Sequence, residues 1–283
     1  IIISENDPNT CIRKQGEDIK EGEIVAHAGL TLEAGECSIL ASVGCINPLV
    51  YRKPKIMHIS TGNEIVSPNK KPATGEIRDS NSILIKQLIE QYGGTLSGKL
   101  HCKDNKGFLT NQIEKFLEGS QDILLVSGGA SVGKYDFGAE VLTNLGFDVK
   151  FQKLNSRPGK PLTFAVKGTK CAFIIPGNPL AHFVSFHIFI RLAIASMQNK
   201  SHGVETVTAM MTDDFKYKEN PRKTFCPATL RWSNEHNSFE ATQLSWNSSG
   251  DLRGMIECNA FLVREKGQSG IEKGSSADFL LLN

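Results

Sequence analysis

The chain has 283 residues, and its 32 Lys and Arg against 30 Asp and Glu leave a formal charge of +2 at pH 7. This near balance argues against a dedicated nucleic-acid binder, because phosphate contacts need a clear basic excess. With 40% hydrophobic and 22% charged residues, the composition excludes a disordered or fibrous protein. At roughly 100–200 residues per domain, the length predicts two domains.

Cysteine usage and hydropathy exclude two further classes. The seven cysteines are scattered and form no Cys-x-x-Cys pair, so neither a disulfide framework nor a zinc site is predicted. The most apolar long stretch, at 179–197, is interrupted by His182, His187 and Arg191, and we therefore predict no membrane span. A reducing cytoplasm is the expected location.

Residues 1–53 contain short apolar runs separated by Gly-containing turns. The pattern predicts short strands and a small helix at 37–43, with too little apolar surface for an independent core. We interpret this partial β-rich segment as the remnant of an N-terminal region. The chain begins at Ile1 and not at Met, which agrees with a piece of a longer protein.

Over residues 54–200, strand patterns alternate with helical ones, which predicts a doubly wound α/β domain. Strands are predicted at 56–60, 95–101, 123–126, 149–154, 162–166 and 172–175, and helices at 82–92, at 107–117, up to 145 and from 179. The continuously apolar run at 123–126 is typical of a strand buried on both faces of a parallel sheet. For the helix at 82–92, the predicted buried face comprises Ile83, Leu84, Leu88, Ile89 and Tyr92.

After residue 202 the chain contains only short β-rich segments, at 204–211, 225–232, 239–244, 260–263 and 279–282. No helical periodicity competes with them. They predict a small all-β, barrel-like domain over 203–283, joined to the α/β domain by a linker at 198–203.

Ligands of open α/β sheets bind beyond the carboxyl ends of the strands. Polar, Gly-rich segments follow four predicted strands, at 60–64 with 75–81, at 103–105, at 127–136 and at 176–179. Residues 128–134 read Gly-x-x-x-x-Gly-Lys, but Tyr135 replaces the Ser or Thr that binds Mg²⁺ in a P-loop. We reject a P-loop and retain an anion held by backbone N–H groups, with a plain glycine turn as the alternative.

Charged residues near these loops are segregated by sign. Six cations and no acidic residue lie between 150 and 170, and Arg157-Pro158-Gly159-Lys160-Pro161 is a rigid basic loop. Such a loop favours an anionic ligand, although a solvated basic face is the usual explanation of a charge run. The strand-end carboxylates are Glu64, Glu76, Asp79, Asp104 and Asp136. Together they could hold Mg²⁺, although each alone is more often a cap or turn residue.

The histidines His58, His101, His182 and His187 are interpreted as core or surface residues, because no spacing supports a metal or nucleophilic triad. Ser127 and Ser131 have no evident base, which makes an acyl-enzyme mechanism a weak hypothesis.

These segments, in this order, resemble the MoeA family, the molybdopterin molybdenumtransferases, to which the E domain of gephyrin is related. The matching stretches are 13–19, 60–64, 79–81, 127–133, 136, 157–161 and 176–179, followed more loosely by the β-rich tail. The resemblance implies a three-layer α/β molybdopterin-binding domain at 54–200, a barrel-like domain at 203–283, and the remnant of a linker and dimerisation region at 1–53.

The resemblance also implies an activity: insertion of molybdate into adenylylated molybdopterin with release of AMP, dependent on Mg²⁺. Carried over by position, the catalytic residues are Glu64, Asp104, Asp136, Lys153 and Arg157, and the three carboxylates are also the expected metal ligands. The expected substrate-binding residues are Thr61, Gly62, Asp79, Ser80, Asn81, Ser127, Gly128, Gly129, Ser131, Gly133, Lys160, Pro176, Gly177, Asn178, Pro179, Arg231 and Ser249.

Two departures accompany the resemblance. Asn63 stands where the family usually has Asp, and most of the N-terminal region, which family members use to complete a partner's site, is missing. We expect a homodimer in the full-length protein, an upstream molybdopterin adenylyltransferase as its supplier, and an inactive isolated piece. The alternatives are a pterin- or nucleotide-processing relative with the same α/β domain, and a non-catalytic scaffold, which Asn63 favours.

Overall fold

The computed structural model describes residues 13–128, 137–200, 203–217 and 219–282. The chain divides into two compact units, one ending at Tyr51 and the other beginning at Arg52. The helices are α1 Ala34–Ser42, α2 Ser80–Gln91, α3 Lys106–Glu118, α4 Gly138–Asn144, α5 Pro179–Ser185 and α6 Arg191–Met197, and a π-helical segment, Phe186–Ile190, joins the last two.

The described part of the first unit contains helix α1 and turns. The Glu36 carboxylate accepts a hydrogen bond from the Glu33 backbone N at 3.0 Å and caps the helix start. The helix predicted at 37–43 is thus present, and it begins three residues earlier and ends one residue earlier. The short strands predicted before residue 54 are wrong for residues 13–53, which the structure describes without a strand. A strand needs a neighbouring strand for its backbone groups, and in this segment backbone N–H groups are instead paired within local turns, such as Glu17 with the Lys14 carbonyl.

Two sheets dominate the second unit. Its strands are β1 Lys55–Thr61, β2 Ile65–Val66, β3 Ile77–Arg78, β4 Thr95–Cys102, β5 Ile123–Ser127, β6 Asp148–Phe151, β7 Ser156–Arg157, β8 Thr163–Lys167, β9 Lys170–Ile175, β10 Thr206–Met211, β11 Lys223–Ser233, β12 Ser238–Gln243, β13 Ala260–Arg264 and β14 Ser276–Leu281. The first sheet has the order β4-β1-β5-β9-β8-β6. Strands β4, β1, β5 and β9 are parallel, and all of β5 is buried, as its apolar run predicts.

Strands β8 and β6 depart from the parallel pattern. Strand β8 runs antiparallel to β9, and β6 runs antiparallel to β8. The β8–β9 connection is a two-residue hairpin loop at Gly168-Thr169, where Gly168 has a φ of +57°. Glycine adopts this conformation without steric cost, so the chain reverses directly and needs no crossover helix.

Helices cover both faces of the first sheet. On one face, Ile85, Leu88 and Ile89 of α2 pack with residues of α5 and α6. The predicted α2 face is partly wrong, because Ile83 is 51% exposed and Ile85 takes the buried position. The second face packs against α3 through Leu109 and Ile113, and against α4 through Val141 and Leu142. Helix, sheet and helix form the three layers predicted for this domain.

The second sheet closes into a barrel. Its order is β12-β10-β14-β13-β11-β7, and an additional β11–β12 pairing joins the ends of a five-strand ring. The small barrel expected from the tail is therefore confirmed. Strand β7 comes from the α/β part of the chain and adds to β11 in parallel, with Ser156 opposite Lys223 and Arg157 opposite Thr224.

The barrel and the α/β part share one apolar core. Phe225, Phe261 and Leu280 of the barrel cluster with Phe183 and Phe186 of the helices. The stretch Pro179–Met197 is long and apolar enough, by length and composition, to cross a membrane, but 67% of its most apolar part is buried inside the protein. Its buried residues, among them Leu180, Phe186 and Ile190, belong to the core of the second unit.

Candidate functional site

The register of the first sheet places the expected strand ends in one row. Thr61 lies opposite Cys102, Ser60 opposite Ser127, and Ser127 opposite Ile175. The loops that follow these residues therefore leave the same edge, the carboxyl edge of the parallel strands, as the sequence predicts.

The antiparallel strands bring the basic loop to this edge as well. Thr163, the first residue of β8, pairs with Ile174, and Phe151, the last residue of β6, pairs with Phe164. The connection between them, residues 152–162, carries Lys153, Arg157 and Lys160. The cations and the carboxylate loops thus lie along one edge of one sheet.

Gly128 makes the closest backbone approach in the row. Its φ is +92°, and a Cβ there would lie 2.5 Å from Thr61 Oγ1 and 2.7 Å from the Thr61 carbonyl oxygen. Its N–H donates to the Ile175 carbonyl at 2.9 Å. Only glycine fits between these strand ends without displacing backbone. The predicted site residues that follow it, Gly129, Ser131, Gly133 and Asp136, lie outside the described residues.

The acidic loops lie at the β1 and β4 end of the row. Glu64 is exposed and Asp104 is half-buried, and the Asn63 side-chain oxygen accepts from the Asp104 backbone N at 3.4 Å. Gly62, with a φ of +145°, would place a Cβ 2.9 Å from Glu64 Oε2. Over the described ranges, no group of three or more His, Cys, Asp or Glu is close enough to hold a metal ion.

Asp79 caps helix α2 beside the acidic loops. Its carboxylate accepts from the Ser82 backbone N at 3.0 Å and from the Ser82 hydroxyl at 2.6 Å. Burial raises the pKa of Asp79, but these hydrogen bonds and the Lys99 charge outweigh it, so the pKa is lowered. Asp79 is thus a structural cap held ionised, and Ser80 follows it half-buried.

Asn81 links α2 to the loop before α5. Its Nδ2 donates to the Gly177 carbonyl at 2.7 Å. Two buried polar atoms, Asn81 Oδ1 and Thr61 Oγ1, have no hydrogen-bond partner among the described residues. Buried polar atoms are normally paired, so these two are available to a ligand.

The loop 176–179 is where the barrel meets the helix start. Pro176 is buried, Gly177 and Asn178 are exposed, and Pro179 takes the first helical position of α5. The Leu180 N–H donates to the Ser249 carbonyl at 3.0 Å, which brings Ser249 to the site. Arg231 is exposed and lies 3.9 Å from Glu257, and it forms no hydrogen bond or ion pair with a predicted site residue of the described chain.

The basic loop faces aromatic and basic residues of the barrel that the sequence did not single out. The Arg157 guanidinium lies 5.7 Å from the centre of the Tyr217 ring, and that of Arg264 lies 4.5 Å from it. Arg222 donates to the Ser156 carbonyl at 3.3 Å. These residues are at least 60 positions distant from Arg157 along the chain, and no local pattern links them to it.

The positive charge of this cluster is not neutralised within the described chain. None of Lys153, Arg157, Lys160, Arg222 and Arg264 forms an ion pair with a described carboxylate. Tyr217 Oη, Trp246 Nε1 and Arg264 Nε are buried donors without a described partner. Uncompensated cations and unpaired donors favour an anionic ligand.

Ser127, expected to bind substrate, instead points its hydroxyl into the protein. It lies 2.6 Å from His58 Nε2 and 2.7 Å from His182 Nε2. Burial lowers the pKa of His58 to about 3 and that of His182 to about 4, so both rings are neutral near pH 7. Of the histidines interpreted as core or surface residues, His58 and His182 are core residues, each 0% exposed.

Comparison with known proteins identifies the class to which an α/β domain with loops along one sheet edge, followed by a closed barrel, belongs here: the molybdopterin-binding proteins. Residues 57–196 match the family model described as a probable molybdopterin binding domain, and residues 208–282 match the MoeA C-terminal region, domain IV. With both models matched in this order, the chain belongs to the MoeA family.

Curated relatives and solved structures agree. A molybdopterin molybdenumtransferase of Nostoc sp. is 32% identical over 99% of this chain, and one of Staphylococcus epidermidis is 30% identical over 95% of it. A molybdopterin biosynthesis MoeA protein from Pyrococcus horikosii, 27% identical, superimposes with a TM-score of 0.77 over 95% of this chain and 64% of its own. The chain spans 64% of the length of both curated relatives.

Proposed function

We propose that this chain belongs to an enzyme that inserts molybdate into adenylylated molybdopterin and releases AMP, with Mg²⁺. The observation that carries the proposal is the charge arrangement along the sheet edge, where unpaired cations lie at the β6–β8 loop and carboxylates lie beyond β1 and β4. An anionic substrate with a pyrophosphate link needs both kinds of group, one to hold charge and one to hold the metal.

The cations Lys153, Arg157, Lys160 and Arg222 would bind molybdate and phosphate oxygens. Arginine guanidinium groups suit oxyanions because their planar donors match the spacing of the oxygens. The unpaired donors Tyr217 Oη and Trp246 Nε1 fit the same oxyanion chemistry. Thr61, Asn81 and the Gly128 turn would hold the polar groups of the molybdopterin substrate.

The carboxylates Glu64 and Asp104 are hard oxygen donors on neighbouring loops, and neither forms an ion pair with a described cation, so they fit Mg²⁺. Asp136 is the third proposed ligand. Bound Mg²⁺ would supply positive charge beside the pyrophosphate. The Asn63 side-chain oxygen accepts from the backbone N of Asp104 and so holds the Asp104 loop. The neutral amide of Asn63 can serve this role.

The setting of the reaction is part of the proposal. The substrate would be supplied by a molybdopterin adenylyltransferase. Supply of the substrate and insertion of molybdate would both take place in the cytoplasm, and the full-length protein would be a homodimer. Tyr217 and Arg222 of the C-terminal part contact the basic loop, so this part would contribute to the site, which disfavours a single-domain pterin- or nucleotide-processing relative.

The test is molybdate-dependent AMP release from adenylylated molybdopterin by the full-length protein. Arg157→Ala should reduce the rate by about 10²-fold, the typical loss of one charge-stabilising donor. Lys167→Ala is the control. Lys167 lies opposite Lys170 in the β8–β9 register, at the other edge of the sheet, so this variant should retain the rate. Unchanged AMP release by Arg157→Ala, or release that needs no molybdate, would contradict the proposal.

Asp104→Asn gives a second readout. It should raise the Mg²⁺ concentration needed for half-maximal release while leaving thermal stability close to that of the unmodified protein, since the Asp104 side chain is partly exposed. A protein that binds adenylylated molybdopterin in calorimetry, but never releases AMP at any Mg²⁺ concentration, would favour the non-catalytic scaffold.

A further inference from the structure

Ser127 joins three elements through one buried hydroxyl. It ends β5, and its neighbours are His58 of β1 and His182 of α5. All three side chains are at most 3% exposed. The next residue is the Gly128 turn, and His182 Nδ1 lies 3.1 Å from the carbonyl oxygen of Asn178 in the loop before α5.

These hydrogen bonds form a series from His58 through Ser127 and His182 to the Asn178 carbonyl, and that carbonyl determines the direction of each of them. The Asn178 carbonyl can only accept, so the neutral His182 carries its hydrogen on Nδ1, and Nε2 is an acceptor. Ser127 must then donate to His182 Nε2 and accept from His58 Nε2–H. His58 Nδ1 is left as an unprotonated acceptor, which agrees with its lack of a partner among the described residues.

We propose that Ser127 is a positioning residue whose hydrogen-bonded chain, from His58 through Ser127 and His182 to Asn178, holds two substrate loops in one arrangement. Ser127, in the middle of the series, adjoins the Gly128 turn, and the series ends at the Asn178 carbonyl. The Asn178 carbonyl also accepts from the His182 backbone N at 3.1 Å, so the loop is held by two donors from one residue.

The same loop is tied from its other side. Gly177, adjacent to Asn178, accepts from Asn81 Nδ2 of α2, and Gly128 donates to Ile175 two residues before Gly177. Removal of the Ser127 hydroxyl would leave a donor on His58 and an acceptor on His182 buried and unpaired, the arrangement that costs most in a protein interior. The loops would then lose their common anchor while the sheet itself stays paired.

The first measurement needs no variant and no substrate. Nitrogen-15 spectra of histidine-labelled protein report which ring nitrogen carries the hydrogen. We expect the Nδ1–H form for His182 and the Nε2–H form for His58, each in a single tautomer near pH 7. A protonated Nε2 on His182, or a mixture of tautomers, would overturn the proposal.

The second measurement uses Ser127→Ala with Ser127→Thr as rescue, because threonine keeps the hydroxyl. Amide hydrogen exchange at Gly128 and His182 should be at least tenfold faster in Ser127→Ala and restored in Ser127→Thr, while exchange in the centre of β5 stays slow. Ser185→Ala is the control. Ser185 is 2% exposed and lies on α5, as His182 does, but it makes no hydrogen bond to His58, Ser127 or His182. Equal exchange in Ser127→Ala and the unmodified protein would contradict the proposal.

The effect on substrate rests on the proposed function. In the AMP-release assay, Ser127→Ala should raise the KM for adenylylated molybdopterin by about tenfold with a smaller change in kcat, because the loops bind substrate and Ser127 does not touch it. The tautomer and exchange results are independent of this assay, so a failed activity would leave them interpretable. An unchanged KM with accelerated exchange would show that these loops do not bind this substrate, and would overturn the substrate part of the proposal.

Discussion

Gly128 lies where two strand ends come within van der Waals distance of each other. An added Cβ would meet both the side chain and the backbone carbonyl of Thr61, and the carbonyl cannot move without breaking the β1 pairing. The left-handed backbone adds a cost of about 1–2 kcal/mol for any residue with a side chain. Steric clash and strain therefore combine at this one position.

Gly128→Ala should lower the free energy of unfolding by more than this backbone strain alone. Gly168→Ala provides the comparison, because Gly168 also has a positive φ but has open space around it. We expect Gly168→Ala to cost about 1–2 kcal/mol and Gly128→Ala to cost more, measured by urea unfolding. Equal losses would show that Thr61 yields to the new methyl group.

Asp122 gives a pH-dependent contribution to stability at the amino edge of the sheet. It accepts from Arg52 at 2.6 Å and from the Lys55 backbone N at 2.7 Å. The Arg52 hydrogen bond lowers the pKa of Asp122 more than burial raises it. A lowered folded pKa means that this stabilisation is present above the unfolded pKa and is lost as the pH falls through the folded value.

Asp122→Asn should therefore lower the Tm at pH 7, and its difference from the unmodified protein should shrink as the pH falls below about 4. Arg13→Gln is the control, because the exposed Arg13–Asp18 pair lies in a turn of the first unit and should leave the Tm unchanged. A Tm difference that stays constant down to pH 2.5 would contradict the assignment.

The sequence predicted the places of the strand-end loops better than it predicted which distant segments come to lie beside them. The positions of Thr61, Gly128 and Gly177 at the sheet edge were predictable from the sequence, because a loop after a buried strand has a known place in an open sheet. Tyr217 and Arg222 were not, because their proximity to Arg157 depends on how the barrel meets β7, and nothing local encodes that contact. The inward orientation of Ser127 was equally hidden, since it needs two histidines from other elements.

At the scale of elements, helix caps are the most local determinants of this fold. Asn105 precedes α3, and its side-chain oxygen accepts from the Phe108 backbone N at 2.8 Å. The helix then buries Leu109, Ile113 and Phe116 against the sheet. Cap and apolar face agree, which explains why the predicted helix and the observed one differ by only one residue at each end.

Asn105→Ala should cost about 1 kcal/mol of stability, since one donor of the first turn loses its acceptor. Asn105→Ser should retain most of it, because serine is an equally good cap. Chemical denaturation of both variants provides the measurement. Equal stability of the alanine and serine variants would show that the cap contributes nothing here.

The direction of β8 illustrates an element that alternation alone did not predict. A strand-helix pattern implies parallel neighbours, but between β8 and β9 the chain has only Gly168 and Thr169. Two residues cannot cross over a sheet, so the strands must pair as a hairpin. That loop signal was available in the sequence, and its consequence is the position of the basic loop at the carboxyl edge.

For the second unit as a whole, the shared core sets the cooperativity. Phe261 of the barrel is fully buried and contacts the Phe183 ring of α5 edge-on, with centroids 5.6 Å apart. The barrel thus contributes directly to the packing of a helix that starts at the candidate site. The length of the chain predicted two domains, but it could not predict that the apolar surfaces of the α/β part and the barrel merge.

Phe261→Ala should cost about 3–5 kcal/mol and should accelerate amide exchange in α5 as well as in the barrel. Trp232→Ala is the control, because it removes a side chain of similar size from a barrel residue that is 53% exposed. It should change neither the free energy of unfolding nor the amide exchange rates. Hydrogen exchange resolved by residue distinguishes the outcomes. Faster exchange confined to the barrel would mean that the two parts open independently.

Strand β7 has a consequence for how this architecture can diverge. Arg157 belongs to the α/β part by chain order, yet its backbone is a rung of the barrel sheet beside Thr224. A barrel exchanged between relatives must therefore match a strand that it does not itself encode. Sequence changes in the barrel and in the basic loop are therefore coupled. A barrel from a relative can replace this one only if its β11 still pairs with β7.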